Sequence, residues 1–284
     1  MAESAHRGCQ APRAAPVTIK DQCPWSGAVP AKMRLCAKEQ VQRRRRACCL
    51  SILLVAGLSG TAVAGEDQPR REVFSGVETT NNYTGVYAGG GYAFGEGLYG
   101  SGWRVRAVGA VGRYSYDGTL FESGSYVPTE FSGDVSFLSA QAGYQIRRGP
   151  LVVKAFAGIE AVDQQISPYD PSNSVQGTAL GLRIALETWA DLTGRWFLSA
   201  DASFGTAFQE YWELTRIGYR LGPVLSAGLE GGVLGNREYN AGRGGGFVRA
   251  HFKTFEATVS GGFTGDYLLD EPSGYLALSL YRAF

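Results

Sequence analysis

The sequence predicts an all-β protein, a closed antiparallel up-and-down β-barrel of outer-membrane type with about 12 strands, in the range 10 to 12. Three observations predict it. A period of two runs through long segments and places apolar residues on one face and charged or very small residues on the other. Most of those segments reach the ~9–11 residues that a tilted strand needs to cross a bilayer, beyond the ~5–6 usual in soluble sheets. An N-terminal stretch with a secretory layout precedes a chain that holds no cysteine.

The N-terminal 64 residues read as a targeting segment. Arg43, Arg44, Arg45 and Arg46 precede the apolar run ACCLSILLVAGLSG and then TAVA, ending at Ala64; a basic region, a short apolar region and a small-residue cleavage site define a secretory signal. The residues ahead of the apolar run are too many for an ordinary basic region, so the expected start of translation is Met33. Cys9, Cys23, Cys36, Cys48 and Cys49 all fall in this segment, which leaves residues 65–284 as a single domain without disulfides, thiolate metal sites or a Cys nucleophile. Residues 1–64 carry 10 of the 27 Lys+Arg and 3 of the 26 Asp+Glu, so the remainder has 17 against 23, a net of −6. That balance argues against a nucleic-acid partner.

The β-like segments follow in order at 73–79, 83–94, 102–116, 134–147, 150–162, 176–189, 195–206, 210–220, 223–233, 238–251, 254–264 and 274–284. In the sixth, Leu180, Leu182, Ile184 and Leu186 alternate with Arg183, Ala185 and Glu187; in the seventh, Leu198, Ala200 and Ala202 alternate with Ser199, Asp201 and Ser203. The fourth places Leu138, Ala140, Ala142, Tyr144 and Ile146 opposite Ser139, Gln141, Gly143 and Gln145, and the fifth sets Lys154 and Glu160 against Leu151, Val153, Ala155 and Ile159. Arg104 and Arg106, two apart, share one face of the third. In a soluble sheet the charged face would be outside. In a membrane barrel the apolar row meets lipid and Arg104, Arg106, Lys154, Glu160, Arg183, Glu187 and Asp201 face the lumen, as a polar channel lining or as a packed network that stiffens a narrow barrel.

The connections support the same topology. RRGP at 147–150, LTG at 192–194, LGP at 221–223 and FKT at 252–254 are short and fall on the side of both termini, whereas 118–130, 164–175 and 265–274 read as long loops on the other. The last segment, with Leu276, Leu278, Leu280 and the terminal Phe284 in one row, is similar to the C-terminal assembly signal of outer-membrane proteins, with Arg282 departing from the row.

Motifs of catalysis are weak. GEGLYG at 95–100 matches G-x-G-x-x-G but lies between two strands and opens no helix that could hold a phosphate. His251 is the one histidine beyond the N-terminal segment, so no two-histidine metal site is available. No cofactor is expected. The long loops mix acids with Tyr126, Tyr169 and Tyr267, an arrangement suited to contacting a glycan and equally to the interfacial aromatic belt of a barrel.

FSGVETTNNYTGVYAGGGYAF at 74–94, GWRVRAVGAVGRYSYDG at 102–118 and VVKAFAGIEA at 152–161 resemble the cellulose biosynthesis protein BcsS family of alphaproteobacteria. The resemblance implies a non-enzymatic accessory of cellulose or exopolysaccharide biosynthesis, export or surface attachment. It would sit among outer-membrane lipid, with cellulose or other components of the cellulose synthase system as partners and no catalytic residues. The alternatives are a periplasmic location, and an envelope barrel enzyme or small-solute pore unrelated to cellulose.

Overall fold

The computed structural model describes residues 68–266 and 269–284; the 1–64 segment and Tyr267 lie outside them. Twelve antiparallel strands form one closed barrel: β1 (Arg71–Thr79), β2 (Tyr83–Ala93), β3 (Gly102–Glu122), β4 (Ser125–Arg148), β5 (Leu151–Ser167), β6 (Gly177–Asp191), β7 (Trp196–Gly205), β8 (Tyr211–Arg220), β9 (Leu225–Gly235), β10 (Asn240–His251), β11 (Glu256–Asp266) and β12 (Leu269–Ala283). Each strand pairs with its sequence neighbours, and β1 closes on β12 with Glu72 opposite Ala283 and Thr79 opposite Leu276. Arg71 N donates to Phe284 O and Phe284 N to Arg71 O, which fixes both ends of the chain at one rim, here termed the proximal end.

The pleat sorts the residues as the alternation requires. Leu180 is 80 % exposed and Leu182 64 %, whereas Arg183 on the same strand is 8 % exposed. Leu138, Ile159, Leu229, Phe263 and Leu276 continue the apolar exterior around the barrel. An exterior this apolar and this exposed is characteristic of outer-membrane-type barrels, whereas a soluble barrel would bury such rows in a core. Toward the proximal end the exposed apolar row becomes aromatic: Trp103 packs on Tyr144, Trp196 on Tyr219 and Phe252 on Phe255, with Phe94 and Phe284 alongside. Such rings form the belt that sits at a membrane interface.

Two segments expected as loops are largely strand. The stretch 118–130 continues the β3–β4 ladder to Glu122 opposite Ser125, and 265–274 is mostly taken up by the ends of β11 and β12. Tyr126 is therefore a strand residue on β4, not a loop residue. The physical reason is local: Ser123 and Gly124 both take positive φ (51° and 87°), the conformation of a tight two-residue hairpin turn, so the ladder can run to its tip without a long loop. The segment 164–175 also begins as strand, and the true connection there is 168–176.

The outer face of the extended part differs from the lipid-type rows. Beyond Val111 and Leu138 it carries Arg113, Ser115, Ser132 and Asp134, with Arg113 Nε donating to Asp134 Oδ1 at 2.6 Å. The β3–β4 hairpin thus projects past the apolar belt at the end opposite the termini, the distal end, and presents polar residues on its outer side.

The mid-row position Ile184 tests the orientation. Ile184→Arg should cost about 2–4 kcal/mol in denaturant unfolding from detergent or bilayers, the penalty for a charge on the lipid face of a barrel. Ile184→Trp should unfold at the parent's midpoint, since lipid accepts a larger ring that a packed core would resist by roughly 1–3 kcal/mol.

Candidate functional site

The inward-facing side chains do not leave an empty bore. On β3, β4, β5 and β6, Arg106 Nε donates to Gln141 Oε1 at 2.6 Å, its guanidinium also pairs with Glu187, and Lys154 Nζ reaches Glu187 at 3.0 Å. Register builds this cluster, because Arg106 pairs with Gln141 across β3–β4 and Lys154 with Glu187 across β5–β6. The Arg106 guanidinium also lies 4.0 Å from the centre of the Phe156 ring. Arg183 Nε donates to Glu160 at 2.8 Å, its Nη2 donates to Glu210 at 3.2 Å, and the guanidinium lies over the Phe137 ring. The Glu160 side chain is fully buried, and its other oxygen accepts the Ala207 backbone N–H at 3.0 Å. Every polar atom of that carboxylate therefore has a partner, as a buried charge requires.

A third cluster occupies the β8–β10 side. Glu230, also fully buried, accepts from Arg216 Nε at 2.8 Å and from the Tyr275 hydroxyl at 2.7 Å, while Arg243 pairs with Glu78 at 3.0 Å and lies over the Tyr275 ring. Nearer the termini, Trp189 stacks on Phe197 with centroids 4.6 Å apart, and Arg249 sits within cation–π reach of Trp189, Phe197 and Phe247. Gly218 faces Phe197, whose ring fills the place a β-carbon would take, so that position admits no larger residue.

The two ends are covered by chain. At the proximal end the connection 94–101 turns inward: Leu98 is buried, its N–H donates to Pro69 O, and its carbonyl and that of Gly97 accept from Arg104. Gln145 Nε2 donates to Leu98 O and Gly100 O and ties the same segment down. The stretch with the apparent nucleotide motif is thus a cover. At the distal end Val175 of the 168–176 connection packs, 1 % exposed, against Val162 and Phe208. The Tyr116 hydroxyl donates to Asp170 Oδ2 at 2.7 Å, and the Ser174 hydroxyl is bonded to Glu238. Burial pushes the Asp170 carboxyl up, but hydrogen bonds from Ser172, Tyr116 and the backbone of Ser172 and Asn173 outweigh it and hold the group below the usual carboxylate range.

Between the covers lies a cavity of about 360 Å³ that Arg106, Gln141, Lys154, Glu187, Asp201 and Trp212 help to line. All seven charged residues singled out in the sequence sit on the inner face. Arg106, Lys154, Arg183, Glu187 and Asp201 border this cavity, Glu160 holds Arg183, and Arg104 belongs to the proximal cover. The predicted loop aromatics Tyr126 and Tyr169 lie on different elements, the first on β4 and the second in the 168–176 connection. Tyr169 is 67 % exposed in the 168–176 connection, and Tyr126, 75 % exposed, packs on Phe121 at the outer face of the hairpin tip.

A model of the cellulose biosynthesis protein BcsS family matches residues 73–284. The chain belongs to that family. The match spans every strand but the first two residues of β1, so the barrel and the family region coincide. Among solved structures the chain is similar to the KdgM porin (9 % identity, TM-score 0.43, covering 75 % of this chain and 99 % of that one). It is also similar to the translocator domain of autotransporter NalP from Neisseria meningitidis (10 %, 0.47, 89 % and 98 %) and to a deletion mutant of the TodX monoaromatic hydrocarbon channel (8 %, 0.46, 77 % and 91 %). A comparison with curated proteins returns no significant match.

In this family member His251 lies at the proximal end of β10 with Nδ1 2.8 Å from Glu256 Oε2, away from the cavity lining. Among the described residues no group of three His, Cys, Asp or Glu side chains has metal-site geometry. The sequence reading missed Glu230, Arg243, Arg216 and Trp212. β9 and β10 are rich in glycine on both faces, which dilutes the alternation there, and β8 carries Glu213 and Thr215 on its outer face and the buried Leu214 on its inner one, which blurs it; pairing Arg216 with Glu230 needs the register.

Two outcomes follow from the geometry. Glu230→Leu strands Arg216 inside the barrel and should destabilise by about 3–5 kcal/mol in denaturant unfolding, the cost of leaving one buried charge without its partner. The Asp170 contribution is present above its unfolded value of ~3.9 and lost as pH falls through the lower folded value. Protease cleavage within 168–176 should therefore be slow at neutral pH and accelerate only in strong acid, and Asp170→Asn should remove that dependence.

Proposed function

We propose that this protein is a non-enzymatic outer-membrane accessory of cellulose biosynthesis that holds the polymer or its assembly at the cell surface and does not conduct the glucan through its own lumen. The observation that carries the reading is the filled interior: matched ion pairs, stacked rings and inward-turned connections occupy the space that a chain of sugar rings would need. The family supplies the process. The apolar exterior and the aromatic belt at the terminal end support an outer-membrane site, with the termini and short turns in the periplasm and the β3–β4 hairpin outside the cell.

On this reading the projecting hairpin is the contact surface. Tyr126 with Phe121 at its tip, Tyr169 in the neighbouring connection and Tyr267, which lies outside the described residues, are the candidate glycan contacts. Exposed rings can lie against the C–H faces of sugars while nearby acids accept their hydroxyls.

Deleting the gene should lower the amount or the surface attachment of cellulose, read by dye binding and by the fraction of polymer shed into the medium. Restoring the gene with His251→Gln should rescue fully, and restoring it with Tyr126→Ala plus Tyr169→Ala should rescue membrane insertion but not attachment. Failure of His251→Gln with normal folding would make the protein an enzyme. A deletion strain with wild-type polymer would remove the cellulose role.

A further inference from the structure

The mid-barrel cavity carries chemistry that the packing around it does not use. Gln141 is 5 % exposed; its Oε1 is committed to Arg106 Nε, which settles the orientation of the amide, and its Nε2 is buried beside the cavity with no hydrogen-bond partner. A buried donor left unpaired is costly, and this one borders a space in which a partner can be held. On another wall Asp201 stands directly across the β6–β7 ladder from Glu187. Glu187 takes both Arg106 and Lys154, and Asp201 has no cation within salt-bridge distance among the described residues. Donor and acceptor thus border one space, and Trp212 and Tyr87 add ring surface to the same lining.

The charges select the class of guest. The lining contains three cations, Arg106, Lys154 and Arg183, and three carboxylates, Glu72, Glu187 and Asp201, so it is balanced. An anion would compete for cations already matched by Glu187, Glu160 and Glu210. A cation at Asp201 would share the space with Arg106 and Lys154, which border the same cavity and already hold Glu187, the neighbouring carboxylate. A neutral molecule with several hydroxyls meets neither obstacle. Its hydroxyls can donate to Asp201 and accept from Gln141 Nε2 and Lys154, and its C–H faces can lie on the rings. The volume, near the lower end of the ~300–1,000 Å³ typical of ligand sites, suits one or two sugar rings and no polymer.

We propose that the cavity bordered by Gln141, Asp201 and Trp212 is a binding site for a neutral mono- or disaccharide. The site does not depend on the surface-attachment role, and its test uses the isolated barrel.

Purified full-length protein in detergent would be titrated with glucose and with cellobiose by calorimetry and by tryptophan fluorescence. Saturable binding of at least one sugar at one site per barrel is expected, with a change in emission that Trp212→Phe abolishes. Asp201→Asn and Gln141→Leu should each weaken binding by about tenfold, the worth of one good hydrogen bond to a buried polar partner. Both variants should retain the heat-shifted mobility of the folded barrel. Absence of saturable binding, in which case water alone fills the cavity, would overturn the proposal. So would an unchanged affinity in both folded variants, or tighter binding of acetate or ethylammonium than of either sugar. A positive titration together with an unaffected deletion strain would sustain this site while removing the cellulose role.

Discussion

Closure of the sheet between β1 and β12 is the constraint on which the rest of the structure depends. In a bilayer no water is available to satisfy a strand edge, so a sheet that crosses it must pair its first strand with its last. Here eight residues of β1 align with eight of β12, and the chain termini exchange backbone hydrogen bonds at the same rim. Once the sheet is closed, the pleat leaves each residue only two destinations, outside or inside. The apolar rows then become an exterior and the charged rows are forced into a confined interior.

That confinement explains the matching of the interior charges. Arg183, Arg216 and Arg243 could not be carried singly in such a space, and each meets a carboxylate on a neighbouring or distant strand while its guanidinium plane lies over an aromatic ring. Pairing across strands also specifies register: a slip of one residue would send Glu160 and Glu230 to the apolar exterior and bring leucine or isoleucine into the ion-pair clusters. The same network occupies the lumen. A barrel stiffened in this way is suited to anchoring, and what space it keeps is of small-molecule size.

The extension of β3 and β4 shows how local chemistry and membrane position combine. The outer face changes from Val111 to Arg113 within two residues on β3 and from Leu138 to Asp134 within four on β4, which marks where the apolar belt ends for that hairpin. Its inner face beyond that level holds Tyr114, Tyr116 and Phe131, packed as a separate cluster that anchors the 168–176 connection through the Tyr116 hydroxyl. The distal cover is therefore built on the projecting hairpin, and the two share one foundation.

The sequence by itself determined the fold class, the strand positions to within a few residues and the face on which most side chains lie, because a period of two in a sheet with one apolar face is a purely local signal. It also carried the family, through strand residues such as Gly112 to Gly118. It misjudged the length of the distal hairpin, since polar residues on a strand outside the apolar belt look like loop, and only the Ser123–Gly124 turn shows where the chain reverses. Tertiary structure alone decided which charges meet. Glu187 lies 33 residues from Lys154 and 81 from Arg106, and Glu78 lies 165 from Arg243; no spacing in the chain encodes those pairs. They arise from register and closure, which are properties of the whole sheet. The same reason placed Gln141 and Asp201 on one cavity, an arrangement invisible until strands three positions apart in the ladder are curved around a common axis.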